Sequence, residues 1–156
     1  MNYSKDIFEG LTVFITGGTG SFGNEMTKTL LDNTKVKQII IFSRDECKQH
    51  TMANKFKKDI RLKFVIGDIK DKDSILRHMN DVDLVYHAAA LKHVPVVEHN
   101  SIEGIKTNVL GTINVLDCCN EKKVDRMMFI GTDKAVEPTN AYGATKMLAE
   151  KCVMQY

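Results

Sequence analysis

Leu11-Thr12-Val13-Phe14-Ile15-Thr16-Gly17-Gly18-Thr19-Gly20-Ser21-Phe22-Gly23 is the stretch whose reading decides the fold. Residues 11–15 are apolar or β-branched and read as a buried strand. Glycines at 17, 20 and 23 follow at once. Over 21–31 the pattern turns helical, with Met26, Leu30 and Leu31 on one face. A turn without side chains lets the backbone approach a phosphate closely. The helix that follows offers unpaired N–H groups and the positive end of its dipole to an anion. Glycine clusters also serve ordinary turns. The strand–turn–helix setting favours a dinucleotide here, cradled by Gly17, Thr19, Gly20, Ser21, Phe22 and Gly23.

Outward from this loop, short apolar runs alternate with helical patterns. Strands are expected over 38–42, 62–66, 83–87 and 127–130. Helices are expected over 45–56, over 71–79 with Asp71 as cap, over 102–120, and from 142 to the end. In the long helix Ile105, Val109, Ile113 and Leu116 form one stripe. Pro95 and Pro138, the two prolines, fall in loops after the fourth and fifth strands. Such alternation predicts an α/β fold, a doubly wound parallel sheet of the Rossmann-like kind, covered on both faces. That fold commonly has six strands, and five are legible. The reading therefore expects residues 1–156 to form one nucleotide-binding domain, lacking the last strand and whatever follows it.

Composition narrows the partners. The 156 residues are 43% apolar and 27% charged, with a formal net charge of +2. This reads as globular, without the basic excess that would attract nucleic acid or an anionic membrane. Lys57-Lys58 and Lys122-Lys123 are solvated faces. No segment approaches the ~20 apolar residues of a membrane span, and residues 1–6 lack the apolar core of a secretory leader. A cytoplasmic protein is expected. Cys47, Cys118, Cys119 and Cys152 make no C-x-x-C pair and have no histidine at zinc spacing, so they read as reduced thiols and no metal is expected.

The chemistry-bearing residues gather at strand ends. The second strand ends Phe42-Ser43-Arg44. A hydroxyl and a guanidinium there suit a ribose 2′-phosphate, so NADP is preferred; with Arg44 in solvent, Asp45 would take the ribose and favour NAD. Asp68 and Ile69 close the third strand, where Asp68 either accepts from an adenine or caps a turn. Ala88-Ala89-Ala90 follows the fourth, leaving room for a ribose or nicotinamide, though a tight helix start would also use alanine. After the fifth come Thr132-Asp133-Lys134 and then Tyr142-Gly143-Ala144-Thr145-Lys146. Tyr142 and Lys146, four apart, share a helix face. An ammonium beside a phenol favours the phenolate and makes Tyr142 a base near neutral pH. Such a pair also arises by chance on amphipathic helices, and Asp133-Lys134 is equally a surface ion pair. His87 reads as structural, and His50, His78 and His99 as surface residues.

Taken together, these residues resemble the extended short-chain dehydrogenase/reductase superfamily: the glycine loop, Asp68, the alanine run, Asn108 and Tyr142-x-x-x-Lys146 fall in its order. Within it the chain is similar to the inverting UDP-N-acetylglucosamine 4,6-dehydratases. The residues that carry this are Ile15 through Gly23, Ser43-Arg44-Asp45-Glu46, His87-Ala88-Ala89-Ala90-Leu91-Lys92-His93-Val94-Pro95, Ile105-Lys106-Thr107-Asn108 and Thr132-Asp133-Lys134-Ala135. The resemblance implies a redox-neutral lyase reaction on a UDP-sugar through bound NADP. It gives Tyr142 and Lys146 the first proton transfer, Lys134 the C5 proton, Asp133 the departing 6-hydroxyl and Thr132 an orienting role. It places Asn108 at the cofactor and Lys92 and His93 at the sugar. It also implies self-association through the 102–120 helix. The resemblance also implies relatives of roughly twice this length, in line with a second domain-sized segment that binds substrate and is absent here; some relatives carry an N-terminal membrane span. A nucleotide-sugar 4-epimerase or reductase, and a cofactor-binding module without activity, are the alternatives.

Overall fold

The computed structural model describes residues 6–156; residues 1–5, and with them most of the stretch read for a leader, lie outside it. Five strands form one parallel sheet: β1 (Thr12–Thr16), β2 (Gln38–Ser43), β3 (Leu62–Ile66), β4 (Leu84–His87) and β5 (Arg126–Phe129). Their order is β3-β2-β1-β4-β5. The expected doubly wound parallel sheet is therefore present. Side chains alternate across a strand, and this splits the core in two. Phe14, Ile40 and Phe42 face one side, packed with Ile75, Met79, Val85 and Val115. Val13, Ile15, Ile39 and Ile41 face the other, packed with Leu30, Met52 and Tyr86. Helices α1 (Ser21–Asn33) and α2 (Glu46–Lys55) cover that second side, α3 (Lys72–His78) and α6 (Gly111–Lys122) the first.

The order of strands reverses between β1 and β4. In open α/β sheets this switch point leaves a crevice at the carboxyl ends of the strands. The parallel register pairs Thr16 with His87 there. The edges are less covered than the sequence implies: Met128 on β5 is 52% exposed, because β5 pairs with a neighbour on one side alone.

Two expectations change. Pro95 lies not in a loop but in the first turn of α4 (Val94–His99), where a missing N–H costs nothing and φ is already helical. The 102–120 helix is not continuous. It comprises α5 (Ser101–Gly104), a π-helical segment (Ile105–Leu110) and α6. A π turn takes up more residues than an α turn, so the apolar stripe slips. Ile105 is 46% exposed, while Thr107, Asn108 and Val109 turn inward together. A 3₁₀ turn (Asp133–Ala135) and α7 (Ala141–Val153) complete the chain. No helix among the described residues is long and apolar enough to cross a membrane.

Asp71 caps α3 as expected, its carboxylate accepting from Ser74 N at 3.0 Å. Asp71→Ala should cost about 1 kcal/mol in urea denaturation. Asp71→Asn should cost a few tenths at most, and an equal loss in both would show that charge rather than capping is at stake.

Candidate functional site

A cleft of about 1170 Å³ runs along the carboxyl ends of the strands. One end of it is the glycine loop. Gly17 has φ +63°, and a Cβ there would stand 2.8 Å from Ala89 Cα. A Cβ on Gly23 would collide with the Gly18 carbonyl, so α1 packs directly on the loop. The cap of α1 is Gly20, with no side-chain hydrogen bond and no acidic residue in the first turn. The N–H groups there are left to an anion. Thr19, Ser21 and Phe22 join Gly17 and Gly20 in the lining, whereas Gly23 supports from behind.

At the β2–β3 end, Ser43, Arg44, Asp68 and Ile69 all line the cleft. Arg44 Nη1 stands 3.7 Å from Asp68 Oδ2, and Asp68 Oδ1 accepts from Lys70 N. Asp45 is the cap of α2: it accepts from Lys48 N at 2.9 Å, and that bond holds its carboxyl below the usual range. Lys48 also lines the cleft. The sequence reading passed over it, although it stands four residues after Arg44, one helical turn on. Gln49 was missed too. Buried, it donates toward Ser43 O, Ser43 Oγ and Val65 O and so clamps the ends of β2 and β3; a lone glutamine on a polar helix gives no signal of this.

The centre of the cleft is held by a buried polar chain. Ala88 N and Ala89 N both donate to Thr16 Oγ1 at 3.2 Å. The one hydroxyl proton of Thr16 is then free for His87 Nδ1, 2.6 Å away. Thr112 donates to the Asn108 carbonyl at 2.7 Å, so its oxygen accepts from His87 Nε2 at 2.9 Å. This counting leaves one consistent form: neutral imidazole, protonated on Nε2. Burial, with the nearby Lys146 charge, brings the His87 pKa down to about 3. His87 is thus structural, as expected. Asn108 does not line the cleft. Its amide is spent on Leu91 N, Leu91 O and Thr145 Oγ1, so it acts by pinning the loop that follows Ala88-Ala89-Ala90, all three of which do line it.

On the β5 side, Asn140 caps α7 by accepting from Gly143 N at 2.8 Å. Tyr142 and Lys146 are buried and both line the cleft. Lys146 Nζ donates to Ile130 O at 2.7 Å and lies 3.8 Å over the Phe129 ring. Burial lowers its pKa to about 8, against the pull of Glu150. Its hydrogen bond goes to the residue just after β5, not to the phenol. Thr132 lines the cleft, donates to Asp133 Oδ1 and accepts from Lys134 N. Asp133 and Lys134 stand outside the lining, 3.3 Å apart. The Asp133 side chain is 84% exposed, and its carboxyl is held low by Lys134 and then by Thr132. This is the opposite of the raised value that a general acid needs. Lys92 and His93, both exposed, line the cleft mouth. The four cysteines are free thiols, and no cluster of metal-ligating side chains occurs among the described residues.

A family model described as polysaccharide biosynthesis protein matches residues 13–156. A curated relative from Campylobacter jejuni, UDP-N-acetylglucosamine 4,6-dehydratase (inverting), is 50% identical over 145 residues, covering 93% of this chain and 43% of that protein. UDP-glucose 4-epimerase from Rickettsia bellii is 47% identical over 148 residues, with 93% and 43% covered. Among solved structures, the dTDP-glucose 4,6-dehydratase DesIV of Streptomyces venezuelae, with NAD bound, superposes with a TM-score of 0.85 at 25% identity, covering 94% of this chain and 51% of that one. The chain thus spans less than half the length of these curated relatives.

The imidazole of His87 supplies a pH test. Folded, it takes a proton at about 3; unfolded, at its ordinary 6.5. Between these values the unfolded state binds more protons, so this contribution is complete above pH 6.5 and is lost as pH falls. Denaturation at pH 7, 6 and 5 should show a loss of up to ~1.4 kcal/mol per unit, to which His78, shifted the same way, adds. Nitrogen NMR should show His87 as the Nε2–H tautomer, unchanged to about pH 4. A signal that titrates near 6.5 would show a solvated ring instead.

Proposed function

The chain belongs to the polysaccharide biosynthesis protein family, within the extended short-chain dehydrogenase/reductases, and from that footing we propose that it is the cofactor-binding half of a UDP-N-acetylglucosamine 4,6-dehydratase that inverts C5. The observation that carries this is the cleft itself. An open helix N-terminus, the Gly17–Ala89 approach and the Tyr142–Lys146 face lie along one trough, and the C. jejuni relative of that name is 50% identical.

The residues fit a dinucleotide. Gly17 and Gly20 with the first turn of α1 would seat its pyrophosphate, Asp68 and Ile69 its adenine, and Ala88 to Ala90 its nicotinamide half. NADP is preferred to NAD because Arg44 and Lys48 both line the ribose end; Asp45 lines it too, with one oxygen capping α2 and the other 3.3 Å from Lys48 Nζ. Bound cofactor supplies two-electron redox chemistry, oxidising the sugar at C4 and reducing it at C6. Tyr142 takes the proton of the 4-hydroxyl, with Thr132 orienting that group. Lys146, its ammonium already destabilised by burial, holds the cofactor ribose and gives up its proton more readily than an exposed lysine. Lys134 removes the C5 proton, which the 4-ketone acidifies. Asp133 protonates the 6-hydroxyl, which leaves as water. Reprotonation of C5 from the other face inverts it. In the chain alone Asp133 is solvated and ion-paired; burial beneath the sugar and the sugar-binding segment raises a carboxyl and lowers an ammonium, as both roles require. Lys92 and His93, at the cleft mouth, would meet the sugar.

This reading makes the enzyme a cytoplasmic lyase acting in polysaccharide synthesis, whose turnover needs more than the 156 residues. Ile102, Ile105 and Leu110, exposed along α5 and the π segment, support self-association there. A second reading, a nucleotide-sugar 4-epimerase, is favoured by the exposure of Asp133-Lys134 and by the R. bellii relative.

Two measurements decide. The chain titrated with NADP⁺ and NAD⁺ should prefer NADP⁺, and Arg44→Ala should remove roughly tenfold of that affinity; equal affinity for both dinucleotides defeats the NADP preference. A protein of the relatives' length should convert UDP-N-acetylglucosamine in deuterated water with label at C5, and Lys134→Ala should abolish this. Full turnover by that variant supports the epimerase.

A further inference from the structure

Gln49 is 6% exposed on a helix whose other polar residues face solvent. Burying an amide is costly unless its N–H groups find partners. Here Nε2 stands 2.7 Å from Val65 O, 3.1 Å from Ser43 O and 3.0 Å from Ser43 Oγ. Two of these three are carbonyl oxygens, which only accept, so the nitrogen of the amide faces them and its oxygen does not.

This fixes the role of the Ser43 hydroxyl. An amide nitrogen has no lone pair to offer, so Ser43 Oγ accepts from it and the Ser43 proton points elsewhere. No hydrogen bond among the described residues takes that proton. Ser43 is itself buried, yet it lines the cleft beside Arg44 and Lys48. The direction of the proton matters to one kind of ligand. A ribose 2′-hydroxyl both donates and accepts, so it can pair with Ser43 whichever way the proton lies. A 2′-phosphate only accepts, and a serine that turned its lone pairs outward would repel it. A donor aimed in advance also spares the entropy of ordering it on binding.

We infer that Gln49 is a positioning residue for cofactor selectivity: by engaging Ser43 Oγ, it holds that hydroxyl as a donor toward an acceptor-only group, the 2′-phosphate of NADP. The inference rests on the NADP reading above and deepens it. Gln49 does not line the cleft and acts through Ser43 alone. The same amide ties Ser43 to Val65, so the direction of the hydroxyl is set by the frame of β2 and β3 and not by the exposed side chains around it.

The test titrates the wild-type chain, Gln49→Met, Ser43→Ala and the double variant with NADP⁺ and with NAD⁺. Gln49→Met keeps the length of the side chain and removes the amide. It should lower the ratio of NADP⁺ to NAD⁺ affinity roughly fivefold, with NAD⁺ affinity held within about twofold. Ser43→Ala should lower the ratio at least as far. The double variant should match Ser43→Ala, because Gln49 has nothing to orient once the hydroxyl is gone. An unchanged ratio in Gln49→Met overturns the inference. So does an equal loss for both dinucleotides, which shows a brace and nothing more, and so does a double variant in which the two losses multiply. If Gln49→Met does not fold, Gln49→Asn, whose amide falls a carbon short of Ser43 Oγ, replaces it with the same outcomes. A wild-type chain without preference for NADP⁺ defeats the NADP reading itself, whereas a wild-type preference that survives in the variants defeats this inference alone.

Discussion

Thr16 at the end of β1 and His87 at the end of β4 meet at 2.6 Å, and the site depends on that meeting. It occurs where the strand order reverses, so it closes the floor of the crevice between the two halves of the sheet. The same threonine oxygen holds Ala88 N and Ala89 N, which sets the backbone against which Gly17 packs. Through Thr112 the chain reaches the carbonyl of Asn108, and the Asn108 side chain pins Leu91 and Thr145. Thr145 lies on the helix that carries Tyr142 and Lys146. The glycine loop and α7 are thus joined through neutral, fully paired groups. A charged imidazole would leave the Thr16 proton without an acceptor, and burial excludes that charge at neutral pH.

Charge in the cleft is divided by depth. Lys146 is buried, bonded to the Ile130 carbonyl just after β5 and stacked on Phe129, and its pKa falls to about 8. Asp133 and Lys134 are exposed and neutralise each other. The deep group is set by the sheet and α7 and is ready in this chain. The outer pair belongs to a 3₁₀ turn that exposes both side chains to solvent. The proposed division of labour follows this depth: proton exchange with the cofactor side within, elimination chemistry at the mouth.

Much of this was legible in residues 11–23. Five buried positions, a glycine turn and a helical pattern leave little choice of fold, and the strand limits hold to within a residue. Asp71 as cap and His87 as a structural group also follow from local rules. The failures lie where tertiary contacts overrule local periodicity. Ile105 fits the apolar stripe of an α-helix, but the π segment turns it out and turns Asn108 in. Pro95 looks like a loop residue because its helix is short, six residues, and gives no period to read. Gln49 and Lys48 carried no motif.

By itself, the sequence determined the alternation of elements, the parallel sheet and most of the groups along the cleft, because periodicity and turn chemistry act over a few neighbouring residues. The tertiary structure decided which of those groups are available. Asn108 is consumed as a clamp and Gln49 as a brace, while Thr107 keeps its hydroxyl unpaired in the cleft wall. Pairing and burial depend on residues tens of positions away, brought together by the register of β1 with β4 and the slip of one helical turn. No local pattern encodes them.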